Sequence, residues 1–280
     1  MTAQSLIATD VVRPSTGRPM WVGTGWKMNK TIAQAREYAR ALAQASIPDG
    51  VQVFILPPHT ALAAVRAELP ASSPVLIGAQ NAHWAAEGSY TGEISMGMCA
   101  DAGAQLIEMG HSERRESFGE TDHTVAMKAR AALDAGLTPL ICVGESAQVR
   151  DSGAEREFIL GQVRAALAHV APGEIDRVIV AYEPIWAIGE NGRPATVDET
   201  APVMAAIRAE LARLSEGTGA LALLYGGSVN QANAAGLLDD PSSDGLFVGR
   251  AAWTPQGLLE IVATAGARVA TERAANDNDS

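Results

Sequence analysis

Three ionisable side chains of different chemistry, Lys27, His111 and Glu183, each close a short apolar run: MWVGTGW (20 to 26), AQLIEM (104 to 109) and VIVAY (178 to 182). A carboxylate in a dry site can take a proton from a carbon beside a carbonyl. An imidazole can polarise that carbonyl and pass protons between neighbouring oxygens, while an ammonium stabilises the resulting enediolate. Two further runs, LALLY (221 to 225) and DGLFV (244 to 248), end in Gly226-Gly227-Ser228 and Gly249-Arg250. Turns of this kind bring backbone N–H groups close to a phosphate. The chemistry that combines these groups is enediol isomerisation of a small sugar phosphate, with no cofactor needed.

Taken singly, each group has a plainer reading. His111 can be a satisfied structural histidine, Lys27 a solvated strand end, and Glu183 before Pro184 a turn residue. Weight comes from coincidence of place, because three unrelated types stand at the same end of three different elements.

Eight apolar runs supply those elements: the five above and VQVFIL (51 to 56), VLIGA (75 to 79) and LTPLICV (137 to 143). Runs without polar alternation are what strands buried on both faces look like. Amphipathic stretches rich in helix formers lie between them, such as 31 to 45, 121 to 136 and 199 to 214, the second stopped at Gly136. Strand and helix alternate eight times, which predicts an α/β, single-domain (β/α)8 barrel over 20 to 268. A doubly wound open sheet is the rival on pattern alone. Residues 1 to 19 read as a loose N-terminal extension and 269 to 280 as a polar C-terminal tail.

Composition narrows the function classes. The 280 residues are 47% hydrophobic with a net charge of −11, which argues against a nucleic-acid binder for want of a basic patch. No run is long enough for a membrane span, and the first 19 residues lack the apolar core of a signal peptide, so a cytoplasmic enzyme is expected. Cys99 and Cys142 fit neither a disulfide framework nor a zinc spacing. The five histidines, His59, His83, His111, His123 and His169, show no HxH or HExxH pattern, and no carboxylate cluster is read at a strand end. No metal is expected, and no GxGxxG or P-loop implies a nucleotide.

At WKMN (26 to 29), AQN (79 to 81), YTGEIS (90 to 95), GHSERRE (110 to 116), ICVGE (141 to 145), AYEPIWAIG (181 to 189), YGGSVN (225 to 230) and GLFVG (245 to 249) the chain resembles the triosephosphate isomerase family. The resemblance runs from Trp21 to about Gly266. It implies His111 as electrophile, Glu183 as base and Lys27 as the active-site lysine, with Glu113 as a supporting carboxylate. It implies Gly189, Gly227, Ser228 and Gly249 as phosphate-gripping positions. It further implies a lid over Pro184 to Ala195, with Ile188, Glu190 and Asn191 in it, and a homodimer in which the loop at Thr91 enters the second subunit.

Three departures sit beside the implied substrate. Ordinary members carry Asn where this chain has Gly25, a shorter Gly-Thr-Gly-Lys lid tip where it has Gly189 to Pro194, and a second glycine where it has Arg250. TGWKMNKT, AIGENGRPA and GLFVGRAAW resemble the erythritol-catabolic branch of the family, which interconverts L-erythrulose 1-phosphate and D-erythrulose 4-phosphate. Such a substrate is a triose phosphate with a CH2OH in place of a hydrogen. The loss of a side chain at Gly25 would make the room, and the altered lid and Arg250 would reshape the pocket. Triose phosphate isomerisation is the alternative, and a sugar-phosphate-binding barrel without turnover a more distant one.

Overall fold

Strands made of unbroken apolar runs need cover on both faces, and closing them into a ring with helices outside also removes both sheet edges. The computed structural model, which describes residues 18–189 and 192–278, has this arrangement. Eight parallel strands close in sequence order: β1 Met20–Gly25, β2 Val51–Leu56, β3 Val75–Ala79, β4 Leu106–Met109, β5 Thr138–Val143, β6 Ile179–Tyr182, β7 Ala222–Tyr225 and β8 Gly245–Val248. Pairing of β1 with β8, Trp21 opposite Gly245 and Thr24 opposite Val248, seals the ring. The expected barrel forms, and the open sheet does not.

Alternation along each strand divides the core in two. Trp21, Phe54, Leu106, Leu140, Leu224 and Phe247 point inward and fill the barrel. Val22, Val53, Ile55, Ile107 and Ile141 point outward against the helices. The Phe54 ring crosses the interior because Gly23 stands opposite, where a Cβ would lie 2.0 Å from its Cζ. Phe247 lies next to it, with ring centroids 5.6 Å apart.

The helix expected over 31 to 45 is Ile32–Gln44, opened by a capping box between Thr31 and Gln34. That over 121 to 136 is Asp122–Asp134, and Gly136, at φ 76°, lies just beyond its end. The third, Val197–Leu214, starts ahead of the expected 199 because Glu199 reaches back to the Thr196 N–H at 2.9 Å.

The C-terminal expectation is corrected. Residues 269 to 278 are not a loose tail but the end of the helix Pro255–Asn278. Val269 is buried there, and Arg273 Nη1 donates to Asp49 Oδ2 at 2.7 Å. Leu258, Ile261, Val262, Ala265 and Val269 hold the helix to the barrel, and the polar last turns continue it. The extension over 1 to 19 lies outside the described residues except for its last two positions. Both cysteines are free and buried, and no helix among the described residues is long and apolar enough to cross a membrane.

Candidate active site

β1 ends at Gly25 and the chain turns at once, placing Lys27 at φ 54°. That left-handed conformation costs a non-glycine residue on the order of 1 kcal/mol or more and persists only where neighbours enforce it. Gln80, just past β3, does so: its Nε2 donates to the carbonyls of Lys27 (3.0 Å) and Leu56 (2.9 Å). Trp253 Nε1 donates to the Gly25 carbonyl at 3.1 Å. The Lys27 ammonium thus enters the mouth of the barrel, where Nζ meets Glu113 Oε1 at 2.6 Å. Both side chains touch water, so the pair orients more than it stabilises.

His111 follows β4 as the cap of the short helix Ser112–Ser117. The Glu113 backbone N–H donates to His111 Nδ1 at 3.1 Å. With Nδ1 accepting, the proton of a neutral ring sits on Nε2. That nitrogen lies 3.8 Å from Glu183 Oε2.

Glu183 follows β6 and is 3% exposed. Its N–H bonds the Val143 carbonyl at 2.7 Å, an approach open only because residue 144 is glycine: a Cβ there would sit 1.8 Å from the Glu183 carbonyl oxygen. Gly226 clears the other side, where a Cβ would lie 2.9 Å from Glu183 Cγ. Glu183 Oε2 is buried with no hydrogen-bond partner among the described residues. An unpaired buried acceptor is costly, and a ligand that brings a donor or a proton relieves the cost.

These groups line one cavity of about 550 Å³ at the C-terminal ends of the strands. Lys27, His111, Glu113, Glu183 and Gly25 all border it, as do Ile188, Gly227 and Gly249. Ser228 and Gly189 adjoin lining residues without bordering it themselves, and Arg250 projects from the exposed surface. Pro184 is buried, its Cγ 3.2 Å from where a Gly227 Cβ would stand. Glu190 and Asn191 lie outside the described residues. The chain on either side of Glu183 is tied down: Trp186 Nε1 and Tyr182 OH both donate to the buried Glu145 Oε1, at 2.7 and 3.1 Å. Burial raises the Glu145 carboxyl, and these bonds work against that rise.

The chain matches the triosephosphate isomerase family model over residues 20–265. The chain belongs to that family. Among its relatives, an L-erythrulose-1-phosphate isomerase of Mycolicibacterium smegmatis is 52% identical over 251 residues, covering 89% of this chain and 94% of the relative. Proteins of the same name from Rhizobium etli (48% identical; 89% and 94% covered) and Mesorhizobium japonicum (46%; 89% and 98%) are also similar to it.

The sequence reading missed one group, and its statement that no carboxylate cluster stands at a strand end is corrected. Glu108 alternates inward with Leu106 on β4, and its carboxyl, the Cys142 thiol and the Glu183 carboxyl have oxygen and sulfur atoms within 4.8 Å of one another. Burial pushes the Glu108 carboxyl up to about 7; His111 pulls it down, and Glu183 adds to the rise. Burial likewise holds the Cys142 thiol well above its usual range. The signal was present, since Glu108 is the sole charged residue within any of the eight strands. His59 also borders the cavity, with Nε2 2.6 Å from the Asn81 carbonyl, whereas His83 stacks on Trp84 at 4.0 Å.

Proposed function

We propose that the chain interconverts L-erythrulose 1-phosphate and D-erythrulose 4-phosphate through an enediolate. One observation carries the reaction type: the buried Glu183 carboxyl, whose Oε2 has no hydrogen-bond partner among the described residues, lies 3.8 Å from His111 Nε2 in the wall of one cavity. The names of the similar proteins support the substrate, as does the absence of a side chain at Gly25.

In this reading the C2 carbonyl of L-erythrulose 1-phosphate accepts the His111 Nε2 proton as a hydrogen bond, and Lys27 faces the same oxygen. Glu183 removes the proton from C3, and the electron pair moves into the C2–C3 bond while charge gathers on the C2 oxygen. Proton exchange between the two oxygens by way of His111 and return of the Glu183 proton to C2 leave the carbonyl at C3. Backbone N–H groups at Gly227, Ser228, Gly249 and Gly189 hold the phosphate. The lid of 184 to 195 excludes water from the enediolate, and triosephosphate isomerases are a standing example of such closure. The enzyme acts in the cytosol as a homodimer, with the Thr91 loop at the interface.

Triose phosphate interconversion is the second reading, favoured by the same Lys27, His111 and Glu183 arrangement. Assay of the purified chain with both substrates separates the two: turnover of the tetrulose phosphate above that of the triose phosphate is expected. Glu183→Gln should lower kcat by about 1,000-fold or more, the scale of a lost general base. Retention of activity in that variant would remove the mechanism.

A further inference from the structure

β4 places a carboxyl where the strand pattern calls for an apolar side chain. Glu108 is 6% exposed, and among the described residues no Lys or Arg side chain is bonded to it; its one hydrogen bond there is from Cys142 Sγ to Oε1 at 3.8 Å, a weak donor. The cavity nevertheless reaches it, because Glu108, Gly25 and Phe247 are all part of its wall. Gly25 is what keeps the way open. A Cβ at position 25 would stand 3.8 Å from Glu108 Oε2 and 3.4 Å from Phe247 Cζ, so any longer side chain there would lie over the carboxyl.

The chemistry of this end of the cavity selects its ligand group. With the Glu108 and Glu183 carboxyls so close, a phosphate placed there would meet repulsion, so the anionic end of a substrate belongs at the glycine turns. A bare hydrogen or methyl would leave the carboxyl unpaired. A hydroxyl satisfies it in either protonation state, donating to a carboxylate or accepting from a carboxylic acid.

We propose that the Glu108 carboxyl, uncovered by Gly25, binds the terminal hydroxymethyl group at the end of the substrate opposite the phosphate and sets the preference for four carbons over three. This inference rests on the tetrulose phosphate reading above. Glu108 acts on specificity in it; the proton transfers stay with Glu183 and His111.

The test uses the full chain with Glu108→Leu and the near-isosteric Glu108→Gln. The kcat/KM ratio between tetrulose and triose phosphate is measured, together with Kd for the non-isomerising analogues erythritol 4-phosphate and glycerol 3-phosphate. Glu108→Leu should shift both ratios toward the three-carbon compound by about 30-fold, the range of a lost hydrogen bond to a charged group. Glu108→Gln, which can still pair with a hydroxyl, should keep most of the selectivity. Unchanged ratios in Glu108→Leu, or an equal loss on both substrates, would overturn the role of Glu108 while the parent's tetrulose activity stood. Absence of tetrulose turnover in the parent would instead overturn the substrate reading and this proposal with it.

Discussion

Glu108 carries a stability signature of its own. Its carboxyl is raised from 4.5 to about 7, so between those values the folded chain keeps a proton that the unfolded chain has released. The folded state then binds more protons, and stability falls as pH rises from about 4.5 to about 7. Glu108→Gln removes the ionisation. Its stability relative to the parent should improve by up to about 3 kcal/mol between pH 4.5 and pH 8. Urea unfolding at the two pH values checks this, and a pH-independent difference would show that the carboxyl titrates normally. Lys27 shows the other residue-scale device: a left-handed turn held by Gln80 and Trp253 aims one ammonium into an acidic molecule's cavity. A local field of this kind would favour the proposed phosphate substrate despite a net charge of −11.

Between elements, a buried ionic network braces the cavity wall. Lys128, on the helix Asp122–Asp134, donates to Glu120 Oε1 and to Asn81 Oδ1, both at 2.7 Å, and Arg114 Nε bonds Glu120 Oε2 at 3.1 Å. Asn81 borders the cavity, so the network joins the loop after β3 to the segment that follows His111. Lys128→Met leaves Glu120 buried with one cation in place of two. The expected loss is about 3 kcal/mol of unfolding free energy, largely recovered in the Glu120→Gln, Lys128→Met double variant because the one charge left without its partner, Arg114, is partly exposed. Denaturant unfolding of Lys128→Met, Glu120→Gln and the double variant measures it, and additive losses would contradict a coupled network. The segment after Glu183 is tethered at its far end too: Arg193 pairs with Glu199, whose carboxyl this bond holds down near 2, and the Arg193 guanidinium lies 4.5 Å from the Trp186 ring centroid. Both described ends of the 184 to 195 segment are thereby fixed on the barrel.

On the scale of the whole molecule, the mouth of the cavity has a rim that water does not suit. Met28 is 97% exposed and Phe118 69%, and both border the cavity beside Gly92, Glu93 and Ile94 of the Thr91 loop. Tyr90 and Met98 are exposed nearby in sequence. Apolar surface next to a functional site is the usual mark of an interface, and it supports the proposed homodimer. Sedimentation at micromolar concentration should give twice the chain mass. Thr91→Arg should shift the chain toward the monomer and lower kcat, since the rim and the cavity share residues. A monomeric parent with full activity would contradict the pairing.

The barrel was legible in the sequence because its cause is local: eight runs apolar on both faces, spaced by capped helices, have few ways to be covered, and the strands fall within two residues of where the runs predict. Lys27, His111 and Glu183 were legible for the same reason, since a residue that closes a strand of such a barrel must face the cavity. The helical C-terminal segment was not, because its small apolar face acquires meaning only against β1 and β2. Nor was Glu108. Composition marks it as an odd residue in a strand, but whether an inward carboxyl is stranded or in use depends on what stands opposite. That is decided by Gly25 and Phe247, on strands distant in sequence that only closure of the ring brings over it.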